Sequence, residues 1–201
     1  MPRPTPADLA AAAGRTIPDI LPDPLRLLVV GINPSLWSGA TGAHFARPGN
    51  RFWPALFAAG ITDYPIDCTA GMRPADRAAV AALGLGITNL VARATARADE
   101  LTAEELRAGA ARLERTVTAH HPRVVAVVGI SAYRTGFRRP KARPGRQPED
   151  LDGTPLWVLP NPSGLNAHET VTSLAAAYGA AADAAGIPRA GGTTAARPLS
   201  G

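Results

Sequence analysis

Four short runs of Val, Leu and Ile residues divide the chain, and each is bounded by polar or turn-forming residues. They span residues 26–32, 86–91, 123–129 and 155–160. Runs of this length that are apolar at consecutive positions are typical of strands buried on both faces of a parallel sheet. The pattern therefore predicts a short, mainly parallel sheet of about four strands.

Helical periodicity fills the segments between and after these runs. The predicted helices cover residues 72–83, 102–120, 131–137 and 173–185. The second is the clearest, because Thr102 and Glu105 have the spacing of a capping box at its start. Strands that alternate with helices predict an α/β fold in which helices cover both faces of the sheet, a three-layer α/β/α sandwich.

The length and composition indicate one main domain. A chain of 201 residues with 46% hydrophobic content can bury one sizeable core. Residues 1–24 carry six prolines and predict an extended lead-in with one short Ala-rich turn. Residues 189–201 are mostly Gly, Thr, Ala and Pro, which predicts a flexible tail. We expect the domain to span residues 25–188.

The charge indicates a partner class without fixing it. The net charge is +5, and Lys141 is the only lysine, so nearly all the basic residues are arginines. Guanidinium groups suit phosphate, which makes nucleic acid a reasonable partner. A general compositional bias towards Arg and Ala explains the same excess equally well.

Cysteine usage and hydropathy restrict the compartment and the cofactors. Cys68 is the only cysteine, which excludes an intramolecular disulfide and argues against a cysteine-ligated zinc or iron–sulfur site. The chain shows neither an export signal nor eighteen consecutive uncharged apolar residues. We expect a cytoplasmic protein that does not enter a membrane.

Several common chemistries lack their motifs. There is no P-loop, and Gly84-Leu85-Gly86 lacks the third glycine of a dinucleotide loop and precedes its strand. No Gly-x-Ser-x-Gly elbow occurs. His120 and His121 lie at a predicted helix end, where a histidine favourably meets the helix dipole, so a metal site is not indicated there.

A polar loop after the first strand is the main candidate site. Gly31-Ile32-Asn33-Pro34-Ser35 follows the strand directly, and the last strand runs into a second Asn-Pro-Ser sequence at Asn161. Ligands of open α/β sheets bind at the carboxyl ends of strands. Asn33 cannot act as a general base, but its amide can orient a water molecule. Asn33 could equally form an Asx-turn that caps the next segment.

Three further features also have two interpretations. Phe45 lies in a polar loop, where its ring could stack on a base or anchor the loop to the core. Leu165 could be a wedge between bases or a buried loop leucine. A basic stretch could contact phosphates or form a solvated Pro- and Gly-rich loop. Its members are Arg138, Arg139, Lys141, Arg143 and Arg146.

Four stretches then combine into a family pattern. In chain order they are Gly31-Ile32-Asn33-Pro34-Ser35-Leu36, Thr41-Gly42 through Phe45 to Trp53, Gly86 to Thr95, and Trp157 to Leu165. Together they resemble the mismatch-specific uracil/thymine DNA glycosylases of the uracil-DNA glycosylase superfamily. The resemblance covers about residues 25–187.

The resemblance implies a monofunctional glycosylase of that fold. Such an enzyme flips a deaminated or mispaired base out of the duplex and hydrolyses its N-glycosidic bond, and it needs no metal or cofactor. By motif position, Asn33 would orient the attacking water, and the Phe45 ring would stack on the base. The residues implied to line the base pocket are Ile32, Ser38, Phe45, Asn89 and Asn161.

The resemblance also implies contacts with the duplex. Leu165 would fill the space that the flipped base leaves. The neighbours of Leu165 would lie beside the orphaned base; they are Ser163, Gly164 and Asn166. We expect contacts with the DNA backbone from Arg47, Arg138, Arg139 and Lys141. The implied partner is double-stranded DNA that contains mismatched or deaminated bases, bound by a monomer.

Departures from the family pattern leave the base range open. Superfamily members with a carboxylate in the first loop hydrolyse uracil much faster, and this chain has none there, so we expect slow turnover directed to G·U or G·T mismatches. Trp37 replaces a small residue, and Ala167 replaces an arginine that often grips the duplex. Asn89 resembles the eukaryotic thymine-processing branch. A noncatalytic DNA-binding module and a free-nucleoside hydrolase are the alternatives.

Overall fold

A five-stranded sheet forms the centre of the protein. The computed structural model describes residues 2–164 and 166–189. The strands are β1 (Leu27–Gly31), β2 (Leu85–Asn89), β3 (Val124–Val128), β4 (Gly145–Leu151) and β5 (Thr154–Leu159), and their spatial order is β2-β1-β3-β5-β4. Only β4 is antiparallel to its neighbour. The predicted α/β class and mainly parallel sheet are confirmed, with one strand more than the four expected.

Seven helices of the described part surround the sheet. They are α1 (Pro6–Ala11), α2 (Leu36–Thr41), α3 (Phe52–Ala58), α4 (Pro74–Ala82), α5 (Ala103–His120), α6 (Ile130–Gly136) and α7 (Val171–Ala184). The four predicted helices correspond to α4 through α7. The short helices α2 and α3 were not predicted. Within the described residues, no helix combines the length and apolar character needed to cross a bilayer.

Alternate residues of the strands pack into two cores on opposite faces of the sheet. On β1, Leu27 and Val29 belong to the core that also contains buried side chains of α3 and α7. Leu28 and Val30 belong to the other core, with residues of α5 and α6. This arrangement gives the three layers of the predicted sandwich, and it explains why the strands are apolar at consecutive positions.

The start and end of α5 follow the predicted capping chemistry. The Thr102 hydroxyl accepts a bond from the Glu105 amide at 3.1 Å, and the Glu105 carboxylate accepts one from the Thr102 amide at 2.8 Å. The helix ends at His121, which has a positive φ of 45° and precedes Pro122. The capping box fixes the position of the Glu105 carboxylate.

Strand β4 corrects the sequence interpretation of the basic stretch. Arg146 lies in this edge strand and not in a loop. The strand was missed because its sequence is polar, with Pro148 inside it and with alternate residues exposed. Charged residues and proline are common on edge strands, where they oppose pairing with another chain.

The N-terminal segment lies against the sheet. Ile20 exchanges two backbone hydrogen bonds with Ile87 of β2, at 2.9 and 2.8 Å. The backbone oxygen of Arg15 accepts a bond from the Ala94 amide at 2.8 Å. This segment therefore reaches the carboxyl edge of the parallel strands, where the polar loops gather.

Candidate active site

A cleft of about 590 Å³ opens at the carboxyl ends of the four parallel strands. It lies where the strand order reverses, since β1 has β2 on one side and β3 on the other. This is the usual ligand position in open α/β sheets. Its lining includes eight of the residues singled out from the sequence: Ile32, Asn33, Ser38, Phe45, Arg47, Asn89, Asn161 and Ser163.

The Asn33 side chain is held by long-range hydrogen bonds. Its Nδ2 donates to the backbone oxygen of Arg93 at 3.0 Å and to Oγ1 of Thr95 at 2.7 Å. A peptide oxygen can only accept, so the amino group must point towards Arg93. Within the described residues, Oδ1 of Asn33 has no protein partner. The alternative that Asn33 forms an Asx-turn to cap the next segment is therefore wrong. Ser35 caps α2 instead, because its hydroxyl accepts a bond from the Ser38 amide.

Thr95 fixes the same orientation independently. Its hydroxyl donates to the backbone oxygen of Arg97 at 2.7 Å. Because the single hydroxyl proton is used there, Oγ1 faces Asn33 with lone pairs. Both neighbours of the Asn33 amino group are therefore acceptors.

An ion pair anchors the segment that carries these acceptors. The Arg93 guanidinium donates to both carboxylate oxygens of Glu105, at 2.6 and 3.0 Å. These bonds, with the capping bond from the Thr102 amide, lower the pKa of Glu105 to about 2. The start of α5 thus holds the peptide that orients Asn33.

The Phe45 ring anchors its loop to the core, and it also lines the cleft. It stacks on the fully buried Phe52, with centroids 3.9 Å apart and planes inclined by 21°. Phe45 also lines the cleft and is half-buried. Phe52 covers one face of the ring, so the other face can receive a planar group. The backbone reaches this position through a positive φ of 54° at Phe45.

Asn89 is oriented through His44. Nε2 of His44 lies 3.2 Å from the backbone oxygen of Pro18, which requires a proton on Nε2. Burial lowers the pKa of His44 to about 4, so the ring is neutral and Nδ1 is an acceptor. The Asn89 amino group lies 3.4 Å from Nδ1. The Oδ1 of Asn89 consequently faces the Gly31 side of the cleft.

Gly31 allows this close approach. A Cβ atom at residue 31 would lie 2.5 Å from Oδ1 of Asn89 and 3.4 Å from Cζ of Phe45. The first of these distances is far shorter than an ordinary van der Waals contact, so any larger residue would displace Asn89. Glycine is needed here for space, not for backbone freedom.

Backbone donors and Ser38 complete the inner wall. Within the described residues, the backbone N–H groups of Ile32 and Phe45 have no protein acceptor. Ser38 is buried, and its Oγ accepts bonds from the Ala46 amide at 3.3 Å and the Ser35 hydroxyl at 3.2 Å. Ser38 therefore ties α2 to the Phe45 loop as well as lining the cleft.

The second polar loop lies on the other side of the cleft. Oδ1 of Asn161 accepts a bond from the Ser163 amide at 3.0 Å, and its backbone oxygen accepts one from Nδ2 of Asn166 at 3.1 Å. Gly164 is exposed and approaches Gly49, whose oxygen would be 2.7 Å from a Cβ at residue 164. Leu165, the predicted wedge, lies outside the described residues.

The predicted backbone contacts fall into two groups. Arg47 is exposed at the cleft. Arg138, Arg139 and Lys141 instead surround a separate depression of about 500 Å³ beside β4. Arg139 forms an ion pair with Glu149, whereas Arg138 and Lys141 have no carboxylate partner in the described part of the chain.

Four residues that shape the site were not selected from the sequence. They are Pro18, His44, Arg51 and Thr95. The last three lie inside the stretches that carry the family resemblance, and His44 directly precedes Phe45, so their position in the sequence was an available signal. Pro18 gave no signal because it contributes only a backbone oxygen. Among the described residues, no group of three His, Cys, Asp or Glu side chains is placed to hold a metal ion.

Comparisons with known proteins bear on the family and the fold of this chain. Residues 18–182 match the family model described as the uracil DNA glycosylase superfamily. A solved structure with a similar fold is the solution NMR structure of a candidate uracil DNA glycosylase from Methanosarcina acetivorans. The TM-score is 0.58 at 18% sequence identity, over 85% of this chain and 98% of the other. At this identity the likeness supports the fold.

Proposed function

This chain belongs to the uracil DNA glycosylase superfamily, and we propose that it is a monofunctional glycosylase that removes uracil from G·U mismatches in double-stranded DNA. The observation that carries the proposal is the Asn33 amide. Two acceptors hold its amino group, at 3.0 and 2.7 Å, and Oδ1 has no partner among the described residues in the cleft that Phe45 also lines. The reaction is hydrolysis of the N-glycosidic bond.

Asn33 acts as a positioner of water in this proposal. Its Oδ1 accepts a hydrogen bond from the water and directs a lone pair of the water oxygen towards C1′ of the flipped nucleotide. An amide has no useful proton affinity near neutrality, so it cannot remove the proton before attack. Cleavage must therefore be largely dissociative, with an oxocarbenium-like sugar formed before the water adds.

The leaving base departs as an anion and needs stabilisation. The backbone N–H groups of Ile32 and Phe45, which have no acceptor in the described part of the chain, are suitable donors for the carbonyl oxygens of uracil. The open Phe45 face stacks on the base, a contact worth about 1–3 kcal/mol per base in nucleic-acid complexes. Oδ1 of Asn89 accepts from N3–H of uracil, whereas N3 of cytosine is an acceptor and is disfavoured there.

The mismatch preference follows from the energetics of base flipping. Extrusion costs least for a weakly held base, and a G·U or G·T wobble pair is held more weakly than a Watson–Crick pair. A site whose first loop has no carboxylate base is expected to cleave slowly, so a well-paired base would return to the stack before it is removed. Removal of thymine and of other deaminated bases belongs to the same proposal.

Arginine and lysine side chains provide the contact with the duplex. Arg47 at the cleft and the carboxylate-free Arg138 and Lys141 are exposed cations. Each phosphate neutralised by such a group releases counterions, so binding should weaken as salt is raised. A salt dependence that is unchanged when Arg138 and Lys141 are neutralised would remove these two residues from the interface.

A cleavage panel tests the function. Labelled duplexes with G·U, G·T, A·U and G·hypoxanthine, and single-stranded uracil, are incubated with the protein, and alkali reveals abasic sites. We expect cleavage of G·U that exceeds an Asn33→Ala control of the same melting temperature by about a hundredfold or more. Strand breakage no greater than in that control would end the proposal. Binding without cleavage indicates a noncatalytic module, and base release from free nucleosides alone indicates a nucleoside hydrolase.

A further inference from the structure

Arg51 joins the two polar loops of the site. Its Nη2 donates to the backbone oxygens of Ser163 at 2.5 Å and Asn166 at 2.7 Å. Its Nη1 donates to the backbone oxygen of Glu169. One side chain from the first half of the chain therefore holds three carbonyls of the loop 161–169, which we call the second loop.

The chemistry of these bonds makes the contact hard to replace. The guanidinium is planar and keeps its charge, so it can donate in several directions at once from one rigid fork. Bonds from a charged donor are stronger than those between neutral groups. Nε of Arg51 is buried and has no hydrogen-bond partner among the described residues. The cost of leaving this buried donor unsatisfied is tolerated, which indicates that the three bonds to carbonyl oxygens stabilise the side chain by more than that cost.

The backbone around Arg51 supports the same loop. The Arg51 amide donates to the backbone oxygen of Pro162 at 2.9 Å. Two residues earlier, the oxygen of Gly49 leaves no room for a side chain at Gly164, since a Cβ there would lie at 2.7 Å. The second loop is therefore shaped against the segment 49–51 from both its start and its centre.

We propose that Arg51 is a positioning residue that sets the shape of the second loop for insertion into duplex DNA. The inference rests on the proposed function, because only an enzyme that flips a base needs an inserting loop. Arg51 forms no hydrogen bond with the Asn33 amide, and the stacking partner of the Phe45 ring is Phe52. Its loss should therefore impair the removal of uracil from a duplex far more than from a single strand, where no stack has to be opened.

The first test uses the protein without DNA. Hydrogen–deuterium exchange is measured on the peptide that covers residues 160–170 in wild type, Arg51→Gln, Arg51→Lys and the surface control Arg115→Gln. We expect exchange in this peptide to be at least tenfold faster in Arg51→Gln, intermediate in Arg51→Lys, and unchanged in the control. The peptides of β1 and β3 should not change. Unaltered exchange of the second loop in Arg51→Gln would overturn the proposal.

The second test uses single-turnover rates on a G·U duplex and on the same uracil strand unpaired. We expect Arg51→Gln to lower the ratio of duplex rate to single-strand rate at least tenfold, with partial recovery in Arg51→Lys. An equal loss on both substrates would mean that Arg51 only supports folding, and would overturn the positioning role. If wild type cleaves no uracil substrate, the proposed function fails. The exchange measurement then still decides whether Arg51 holds the loop. It is likewise the deciding test if wild type does not cleave the single strand, because the rate ratio cannot then be measured.

Discussion

Replacing Asn33 with aspartate tests the amide orientation directly. The Asn33 amino group faces two acceptors, the Arg93 backbone oxygen at 3.0 Å and Thr95 Oγ1 at 2.7 Å. An ionised aspartate offers only acceptors, so it would place a carboxylate oxygen against a carbonyl oxygen. The Thr95 hydroxyl could turn to donate to the carboxylate, but it would then abandon the Arg97 oxygen. A protonated aspartate can instead donate to the Arg93 oxygen as the amide does.

The size of the effect follows from these contacts. Leaving a buried acceptor without its donor costs about 1–3 kcal/mol, and one pKa unit corresponds to about 1.4 kcal/mol. If the Thr95 hydroxyl turns, one such penalty remains for the ionised form. The pKa of the new carboxyl should then rise by about 1–2 units from its ordinary value near 3.9, to about 5–6. Below that pKa the aspartate is neutral, and above it the strained carboxylate becomes available to water.

Single-turnover rates on a G·U duplex between about pH 4.5 and 8.5 measure this pKa. We expect the Asn33→Asp rate to rise with pH through a midpoint near 5–6, and the Asn33→Ala rate to stay flat and low. Wild type should also be flat, because His44, with a pKa of about 4, is neutral over this range. A midpoint of Asn33→Asp at or below the ordinary value would refute the described amide orientation.

Three further substitutions test other parts of the site. Gly31→Ala should lower kcat/KM on G·U about tenfold or more with little change in melting temperature, because the added Cβ would lie 2.5 Å from Asn89 Oδ1. Glu105 has a lowered pKa of about 2 because of its bonds with Arg93, so it stabilises the fold above its ordinary pKa and loses this effect as the pH falls towards 2. Melting temperatures of wild type and Glu105→Gln should therefore converge between pH 4.5 and 2. Tyr178→Phe removes a buried bond of 3.0 Å to a carbonyl at the end of β5, which should cost about 1 kcal/mol and lower the melting temperature by about 2–4 °C.

The predictable part of the fold is the part where burial alone decides the structure. The four parallel strands are largely buried, so each one shows in the sequence as a short run rich in Val, Leu or Ile. Strand β4 is an edge, and its pairing with β5 shifts register between Arg146 and Asp150. Its residues carry no hydrophobic signal because solvent covers one side. Helices α2 and α3 have only six and seven residues and lie in the stretch that was interpreted as polar loops, so they were missed.

The site was predictable only to the level of which loops meet. Parallel strands bring their carboxyl ends to one edge, so Asn33, Asn89 and Asn161 were expected to lie close together. Arg51 could not be assigned a role, because its acceptors are backbone oxygens more than 110 residues away. Every residue has a backbone oxygen, so a contact with one leaves no signature in the sequence. The same reason hides Pro18, which holds His44 through its carbonyl oxygen.

The neutrality of the inner wall connects the geometry with the expected rate. Asn33, Asn89 and Phe45 carry no charge, and burial keeps His44 neutral above about pH 4. The charged residues that line the same cleft, Arg47, Arg97 and Asp99, are exposed. Water and the leaving anion at the inner wall therefore meet oriented dipoles and not a buried base or cation. Preorganised dipoles stabilise charge that develops in the transition state without holding a strongly charged ground state. Such a site gains most from a substrate whose bond breaks early and whose base is already poorly stacked, so the proposed selectivity for mismatched uracil and the expected slow turnover would have one physical origin.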